Sequence, residues 1–154
     1  MVKDLIFPGI VVGLLADAVK LTVNYILYLM NFTSVVFWQI TATRFLEKAD
    51  LFKPSAFFIG GVADITVSAM FGILFLYILY ILGKKYLLIK GIGFGLLIWV
   101  GIFGTLLGQS VQQKIPQTTS GIVVTIVAHL FFGLSLALFT EWLGYTGYIN
   151  RAKV

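Results

Sequence analysis

Four long apolar runs constrain the fold of this 154-residue chain more than any other feature of its sequence. They cover approximately residues 5–30, 56–82, 87–108 and 121–143. A helix needs about 20 mostly apolar residues, at about 1.5 Å per residue, to cross the hydrocarbon of a bilayer. Only 11% of the chain is charged, whereas a soluble domain carries about 25% charged residues. The sequence therefore predicts an all-α integral membrane four-helix bundle that forms a single domain over residues 1–154.

The segment at residues 33–47, between the first two runs, is too polar to cross a membrane. It mixes bulky apolar side chains with polar ones such as Gln39 and Thr41. This composition is typical of an amphipathic helix that lies in the membrane interface, where the indole of Trp38 would sit at headgroup level. The sequence predicts one such interfacial helix between spans 1 and 2.

The motif G-x-x-A-D occurs twice, each time within an apolar run, at Gly13–Asp17 and at Gly60–Asp64. A carboxylate at membrane depth is costly, so it faces a protein interior or water and has a partner. Lys20 follows the first aspartate by one helical turn, which predicts an ion pair within span 1. The second aspartate has no such neighbour in its own run, and it is therefore the stronger candidate for a functional role.

Helix rise places three ionisable side chains at a similar depth. Asp17 lies about 18 Å from the start of span 1, and Asp64 and His129 lie about 12 Å from the starts of spans 2 and 4. In a hydrocarbon core of about 30 Å, all three fall near one plane, with Lys20 about one turn away. Two interpretations stay open: structural contacts that fix helix register, such as a bond from Asp64 to Lys20 or His129, or a relay for ions or protons.

Glycines recur at helical spacing and predict close packing between helices. Two of them open the repeated motif, and span 3 contains two G-x-x-x-G patterns, which allow helix backbones to approach closely. The glycines with a predicted packing role are Gly13, Gly60, Gly91, Gly95, Gly101, Gly104, Gly108 and Gly133. They favour assembly of the spans with one another or with a second membrane protein.

The basic residues outside the spans predict the orientation of the chain. With four spans, both termini share a side with the loop after span 2, and basic residues concentrate on the cytoplasmic side. The side of the termini carries six, namely Lys3, Lys84, Lys85, Lys90, Arg151 and Lys153, and the other side carries four, namely Arg44, Lys48, Lys53 and Lys114. Cytoplasmic termini are therefore expected. Lysines that flank spans and face anionic headgroups also explain the net charge of +5, so no nucleic-acid partner is expected.

Several chemistries lack the residues that they require. The chain has no cysteine, which excludes disulfides and thiolate sites. It has no G-x-S-x-G nucleophile motif, and the G-x-G-D motif of intramembrane aspartyl proteases is absent because Val62 and Ala63 precede Asp64. The single histidine and the two aspartates have no spacing that specifies a metal. The sequence therefore predicts a protein that is not an enzyme and that has no metal or other cofactor.

Two short segments resemble a known group of proteins. KGIGFGLLIW at Lys90–Trp99 and HLFFGLSLA at His129–Ala137, together with the order of the spans, resemble small uncharacterised four-span membrane proteins of Gram-positive-type bacteria. The resemblance covers most of the chain. It implies a bacterial plasma membrane and implies no activity.

The functional interpretations that follow from these features belong to different classes. The first is a membrane protein that self-assembles or serves as a subunit of a larger complex, its buried polar residues specifying packing. The alternative is a small channel or proton-linked transporter that uses Asp17, Lys20, Asp64 and His129. An intramembrane enzyme is the least supported.

Overall fold

The computed structural model describes residues 4–151, which fold almost entirely into helices. The helices are α1 Ile6–Leu29, α2 Phe37–Ala42, α3 Pro54–Leu82, α4 Leu87–Gly101, α5 Gly108–Lys114, α6 Thr119–Trp142 and α7 Tyr145–Arg151. A π-helical segment, Ile102–Leu106, extends α4. Four helices are long and apolar enough to cross a membrane: α1, α3, α4 with its extension, and α6. The predicted all-α four-helix architecture is confirmed, and the chain is a multi-pass membrane protein.

The four long helices pack in the order α3, α1, α6, α4. Helix α1 packs against both α3 and α6, and α4 packs against α6, but α3 and α4 do not pack closely on one another although they are consecutive in the chain. Toward one end of the bundle, Phe71 and Phe75 of α3 contact Phe94 of α4, with ring centroids 6.2 and 5.4 Å apart. Beyond these rings, α3 and α4 are separated by a cleft.

Glycines bring α1 and α3 into backbone contact. A Cβ atom on Gly13 would collide with the carbonyl oxygen of Ser68, and a Cβ atom on Gly9 would collide with the backbone of Ile73. A Cβ atom on Gly72 would collide with the backbone of both α1 glycines. Short side chains on the two helices can therefore reach one another across this interface, which matters for the polar site below.

A second glycine contact joins α4 to α6. A Cβ atom on Gly91 would collide with the carbonyl oxygen of Gly133, and one on Gly95 would collide with the carbonyl oxygen of His129. These positions are where the G-x-x-x-G spacing of span 3 predicts close approach.

The remaining glycines of span 3 behave differently. An added Cβ atom on Gly101 or Gly104 would meet no atom within 4 Å in the described chain. One on Gly108 would meet the carbonyl oxygen of Phe103, which precedes it by five residues in the π-helical segment. These three glycines therefore do not pack against another long helix within the described chain, and a packing role against a second membrane protein stays a prediction. The spacing identifies small residues on one stripe, but it does not say which stripe faces a neighbouring helix.

The segment between α1 and α3 also differs from its predicted form. Its helical part is only six residues long, and Phe37, Ile40 and Ala42 are buried. The backbone N–H of Phe37 donates to Oδ1 of Asn24 at 2.8 Å, more than one turn before the end of α1. The chain thus turns back into the bundle after α1, and α2 packs against α3 instead of lying with one face on the surface.

Glycines of α3 accommodate this returning segment. A Cβ atom on Gly60 would collide with the carbonyl oxygen of Trp38, and one on Gly61 would lie 3.3 Å from the Trp38 indole. The partner of Gly60 is therefore α2 and not another long helix. Trp38 is half-buried against α3, and its position at headgroup level stays a prediction.

A small second layer closes this end of the bundle. The hydroxyl groups of Thr43 and Ser110 are hydrogen bonded at 3.0 Å. The Lys114 ammonium donates to the carbonyl oxygens of Thr43 and Leu46 at 3.0 and 2.7 Å. The apolar residues that pack here are Val35, Ile40, Ala42, Leu51, Ala56, Leu107, Val111 and Ile115. Of the basic residues used to predict orientation, Lys3 and Lys153 lie outside the described residues, as does the side chain of Arg151.

Candidate functional site

A buried lysine joins the two aspartates of the repeated motif. The Lys20 ammonium lies 2.7 Å from Oδ1 of Asp17 and 2.6 Å from Oδ1 of Asp64. The three side chains are only 3 to 6% exposed. Ser68 completes the group, since its hydroxyl donates to Oδ1 of Asp17 at 2.8 Å and accepts from Lys20 at 3.3 Å. We call these four residues the Lys20 cluster.

Local sequence and helix packing together produce this arrangement. Asp17 and Lys20 are one turn apart on α1, and Asp64 and Ser68 are one turn apart on α3. Residues at such spacing lie on the same face of a helix. The close approach at Gly13, directly against the Ser68 carbonyl, lets short carboxylate side chains reach the neighbouring helix. The glycine and the aspartate of the motif thus serve one interface.

The Lys20 cluster is one positive charge short. Among its four described members, two carboxylates share a single ammonium group. An uncompensated charge in a membrane interior is costly, so a site of this composition takes up a proton or a cation, or is solvated by water. The atom with unused capacity is identifiable. Oδ2 of Asp64 makes no hydrogen bond within the described chain.

The indole of Trp38 is a further potential donor near Asp64. Neither Trp38 Nε1 nor Asp64 Oδ2 completes a hydrogen bond in the part of the chain that the structure describes. Burying a polar atom without a partner costs about 1–3 kcal/mol, and more for a charged group. The Asp64 carboxylate therefore has one oxygen fixed by Lys20 and one oxygen still in need of a donor.

A cavity of about 220 Å³ adjoins the cluster in the cleft between α3 and α4. One water molecule requires only about 10–15 Å³ of such space. Its walls are mostly apolar, and the polar or charged residues that line it are Lys20, Thr41, Arg44, Asp64, Ser68 and His129. The cavity is lined by residues of this one chain.

His129 lines the same cavity but does not join the cluster. Its Nδ1 atom lies 2.8 Å from the carbonyl oxygen of Thr125, one turn earlier in α6. Its ring packs between those of Phe37 and Phe103, with centroids 5.6 and 5.7 Å away. No described hydrogen bond links it to Asp17 or to Asp64. The structure thus brings the predicted aspartates and lysine into direct contact and leaves the histidine at the cavity wall.

Aromatic residues form a part of the site that the sequence did not reveal. The Lys20 ammonium lies 4.3 Å from the ring centroid of Phe37 and 5.4 Å from that of Phe132. Cation–π contacts of this kind stabilise a desolvated cation. Phe37 was not predicted, because it belongs to the segment expected at the membrane surface. Ser68 had a signal, its position four residues after Asp64 on the same helix face.

No metal site is apparent in the described ranges. Among residues 4–151, no group of three or more His, Asp or Glu side chains is arranged to hold a metal ion. The residues of the Lys20 cluster can themselves exchange protons, ion pairs and hydrogen bonds.

No family model, curated protein or solved structure matches this chain. The class of protein follows from its own structure. It is a multi-pass membrane protein with a buried ion cluster beside a cavity that lies between two of its spans.

Proposed function

We propose that this protein is a small, non-enzymatic, proton-linked carrier in which Asp64 exchanges a proton against a cationic solute. One observation supports this proposal above the others. Oδ1 of Asp64 is bound by Lys20, Oδ2 has no hydrogen-bond partner among the described residues, and the residue lines a cavity. The carboxylate is thus both paired and open to a further ligand.

Charge balance explains how such a site alternates between two states. When Asp64 binds a proton or a cation from the cavity, it no longer needs Lys20. Lys20 then retains Asp17, one turn away on the same helix, as its counter-ion. When Asp64 is ionised and empty, it returns to Lys20. In both states the lysine has a partner, so neither leaves an isolated buried cation, which would cost about 3–5 kcal/mol.

Few other charged groups face Asp64. Helix α1 contributes Asp17 and Lys20, α6 contributes His129, and Arg44, just after α2, lines the same cavity. The residues that α4 and its extension contribute to the wall are apolar. A pH-dependent activity of this protein is therefore assigned first to Asp64.

Proton movement in proteoliposomes tests the proposal. Purified protein is reconstituted with a pH-sensitive dye inside the vesicles, and an outward proton gradient is imposed. Wild-type protein is expected to dissipate the gradient when a cationic solute is present, and Asp64→Asn is expected to reduce the rate to that of protein-free vesicles. Asp50→Asn is the matched control, because Asp50 pairs with Lys53 at the exposed surface. Equal rates for Asp64→Asn and wild type, or no flux in wild type, contradict the proposal.

Self-assembly is a second candidate function, and one surface favours it. On the exposed side of α4 and its extension, Gly93, Gly101 and Gly104 alternate with Leu97 and Val100, which are 69 and 58% exposed. Small residues on a membrane-facing surface allow a second helix to approach closely. We infer from this surface a homo-oligomer or a membrane subunit of a larger complex.

Substitution on that surface tests the second candidate. Gly101→Leu is expected to lower the mass of the detergent-solubilised particle measured by light scattering, whereas Ile89→Ala, at an exposed position nearer the start of α4, leaves it unchanged. A monomeric wild-type particle excludes self-assembly. Purification from native membranes then shows whether other proteins accompany the chain.

The setting proposed for both candidates is a bacterial plasma membrane with cytoplasmic termini. The resemblance and the distribution of basic residues support it. Because the chain has no cysteine, single cysteines introduced at Lys85 and Lys48 can be labelled with a membrane-impermeant maleimide in intact cells. Labelling at Lys48 alone is expected, and labelling at Lys85 alone contradicts the orientation.

A further inference from the structure

We propose that the cavity beside Asp64 binds a small primary or secondary amine with an apolar body, whose ammonium group donates a hydrogen bond to Asp64. This inference rests on the proposed carrier function and names the class of its solute.

The charge of the cluster selects a cation. With both aspartates ionised, the two carboxylates and the Lys20 ammonium sum to a net charge of −1. Arg44 also lines the cavity, but it is exposed and forms no described ion pair with either aspartate. An anionic ligand would add to this charge and a neutral ligand would leave it, whereas a monovalent cation neutralises it. In a low-dielectric interior, that neutralisation decides which ligand class is accepted.

The missing hydrogen bond selects a cation with N–H groups. Asp64 Oδ2 lacks a donor among the described residues. An ammonium group supplies charge and donor together, and a charge-assisted N–H···O bond is roughly twice as strong as a neutral one. A quaternary ammonium ion supplies the charge alone. Comparing a protonated amine with a quaternary ammonium ion therefore separates the contribution of charge from that of the hydrogen bond.

The walls of the cavity suit an ammonium group with an apolar substituent. The site already holds one alkylammonium, that of Lys20, against the rings of Phe37 and Phe132. Phe71 is a third aromatic residue of the lining, and Ile98 and Ile102 form the side that belongs to α4 and its extension. Apolar walls with a few convergent polar groups are the usual composition of small-molecule sites.

The cavity volume limits the size of the ligand. The cavity measures about 220 Å³, which is room for several water-sized groups at about 10–15 Å³ each. Pockets for drug-sized molecules begin at about 300 Å³. A ligand such as benzylamine is of the appropriate size, and larger amphiphiles would have to open the cleft.

The cleft between α3 and α4 provides the route of entry. Both helices line the cavity without packing closely on one another. Phe45 and Leu106, at its edge, are 61 and 59% exposed. Arg44 lies at the same end and repels a cation that approaches from the aqueous phase. An amine therefore enters sideways from the bilayer, in which its apolar body concentrates.

Equilibrium binding of benzylamine to the full chain in lipid nanodiscs tests the inference, with empty nanodiscs subtracted to remove partitioning into lipid. Benzyl alcohol, benzoate and benzyltrimethylammonium are the comparison ligands. Benzylamine is expected to bind about tenfold or more tightly than each of them, the amount that one hydrogen bond to a charged group provides. Equal affinity for benzylamine and benzyl alcohol overturns the inference.

Three variants locate the binding. Asp64→Asn removes the charge, and Ile102→Trp fills the cavity without changing any charge, so each is expected to weaken benzylamine binding by about tenfold. Asp50→Asn is expected to bind like wild type. Because Ile102→Trp leaves the ion cluster intact, it keeps the test informative if Asp64→Asn fails to fold. Full affinity in Ile102→Trp overturns the assignment to this cavity.

The inference and the proposed function fail in different ways. If proton flux depends on Asp64 and is driven by inorganic cations, but benzylamine does not bind, the amine site is disproved and the carrier function still stands. If benzylamine binding depends on Asp64 but the protein moves no protons, the carrier function is disproved and the amine site still stands.

Discussion

The two G-x-x-A-D motifs have the same sequence pattern but different structural surroundings. In the first, Gly13 lies against α3, and Asp17 bonds to Lys20 of its own helix and to Ser68. In the second, the glycine lies against the short helix α2, and the aspartate reaches Lys20 across the bundle and lines a cavity. The role of each carboxylate is therefore set by the elements that pack around its helix. The first motif forms part of the α1–α3 interface, and the second lines the cavity between α3 and α4.

Removing the lysine that joins the two motifs is expected to have the largest effect. Lys20→Met leaves two buried carboxylates without a counter-charge, and breaking a buried ion pair in this way costs about 3–5 kcal/mol. The free energy of unfolding in mixed detergent micelles measures it. Lys53→Met, which disrupts an exposed pair with Asp50, is the control and is expected to cost less than about 1 kcal/mol.

The double variant Lys20→Met/Asp64→Asn tests whether the loss of stability arises from charge. Removing one carboxylate together with Lys20 reduces the uncompensated charge, so part of the lost stability is expected to return. No recovery in the double variant would mean that Lys20 acts through packing of its methylene groups and not through charge.

Substitutions of the motif glycines are expected to cause the next largest loss of stability. Gly13→Ala and Gly60→Ala each place a methyl group against a backbone carbonyl, and overpacking of this kind costs about 1–3 kcal/mol. Gly101→Ala, with open space around it in the described chain, is the control and is expected to be neutral or stabilising in the monomer. Unfolding in micelles again supplies the measurement. A tolerated Gly13→Ala would mean that the α1–α3 interface is looser than described.

The two glycine substitutions are expected to differ in their effect on the Lys20 cluster and on proton flux. Gly13→Ala acts on α1 and α3, which carry the whole Lys20 cluster, so it is expected to impair proton flux. Gly60→Ala displaces α2 and is expected to weaken the aromatic contact of Lys20 with Phe37 first. Equal flux in the two variants, at equal loss of stability, would contradict the separate roles of the motifs.

Exchanging the aspartates one at a time compares their roles directly. Asp64→Asn is expected to abolish proton flux. Asp17→Asn is expected to slow proton flux. Lys20 then has Asp64 as its sole counter-ion within the cluster, and the ion pair holds the Asp64 carboxylate in the ionised, empty state. Each variant still has one carboxylate for one ammonium, so the stability of the two is expected to agree within about 1 kcal/mol. Initial rates in proteoliposomes provide the measurement, and a faster rate in Asp64→Asn than in Asp17→Asn reverses the assignment.

The smallest effect is expected at His129. Its ring nitrogen bonds to Thr125 and makes no described bond to either aspartate, so His129→Gln is expected to change the flux by less than about threefold, as for weakly coupled sites. Loss of flux in His129→Gln, with the protein still folded, would show that the histidine relays protons through the cavity.

The sequence predicted the spans and part of the cluster for physical reasons that the structure makes clear. Hydropathy defines the length of a span directly, and α1 begins and ends within one residue of the predicted run at 5–30. The pairing of Asp17 with Lys20 follows from spacing within one helix. The bond from Lys20 to Asp64 was one of the expected alternatives, because the two lie at a similar depth.

Other features depend on contacts that no local pattern encodes. The return of Phe37 into the bundle depends on the side-chain oxygen of Asn24, which accepts a hydrogen bond from the Phe37 backbone. It also depends on the glycines of α3, which allow α2 to pack closely. The cavity exists because α3 and α4, although consecutive, pack on different partners. Gly101 and Gly104 share their spacing with Gly91 and Gly95, but only the latter pair faces α6.

The central claim is that Asp64, and not Asp17, changes its protonation when the site is loaded. Infrared difference spectroscopy of the protein in lipid films, recorded between the amine-free and benzylamine-bound states, observes the carbonyl stretch of a protonated carboxyl group directly. At a pH at which Asp64 of the amine-free site holds a proton, we predict that this band decreases on binding, because the ammonium group replaces the proton. The change is expected to disappear in Asp64→Asn and to persist in Asp17→Asn. A band that persists in Asp64→Asn and is lost in Asp17→Asn would contradict the account.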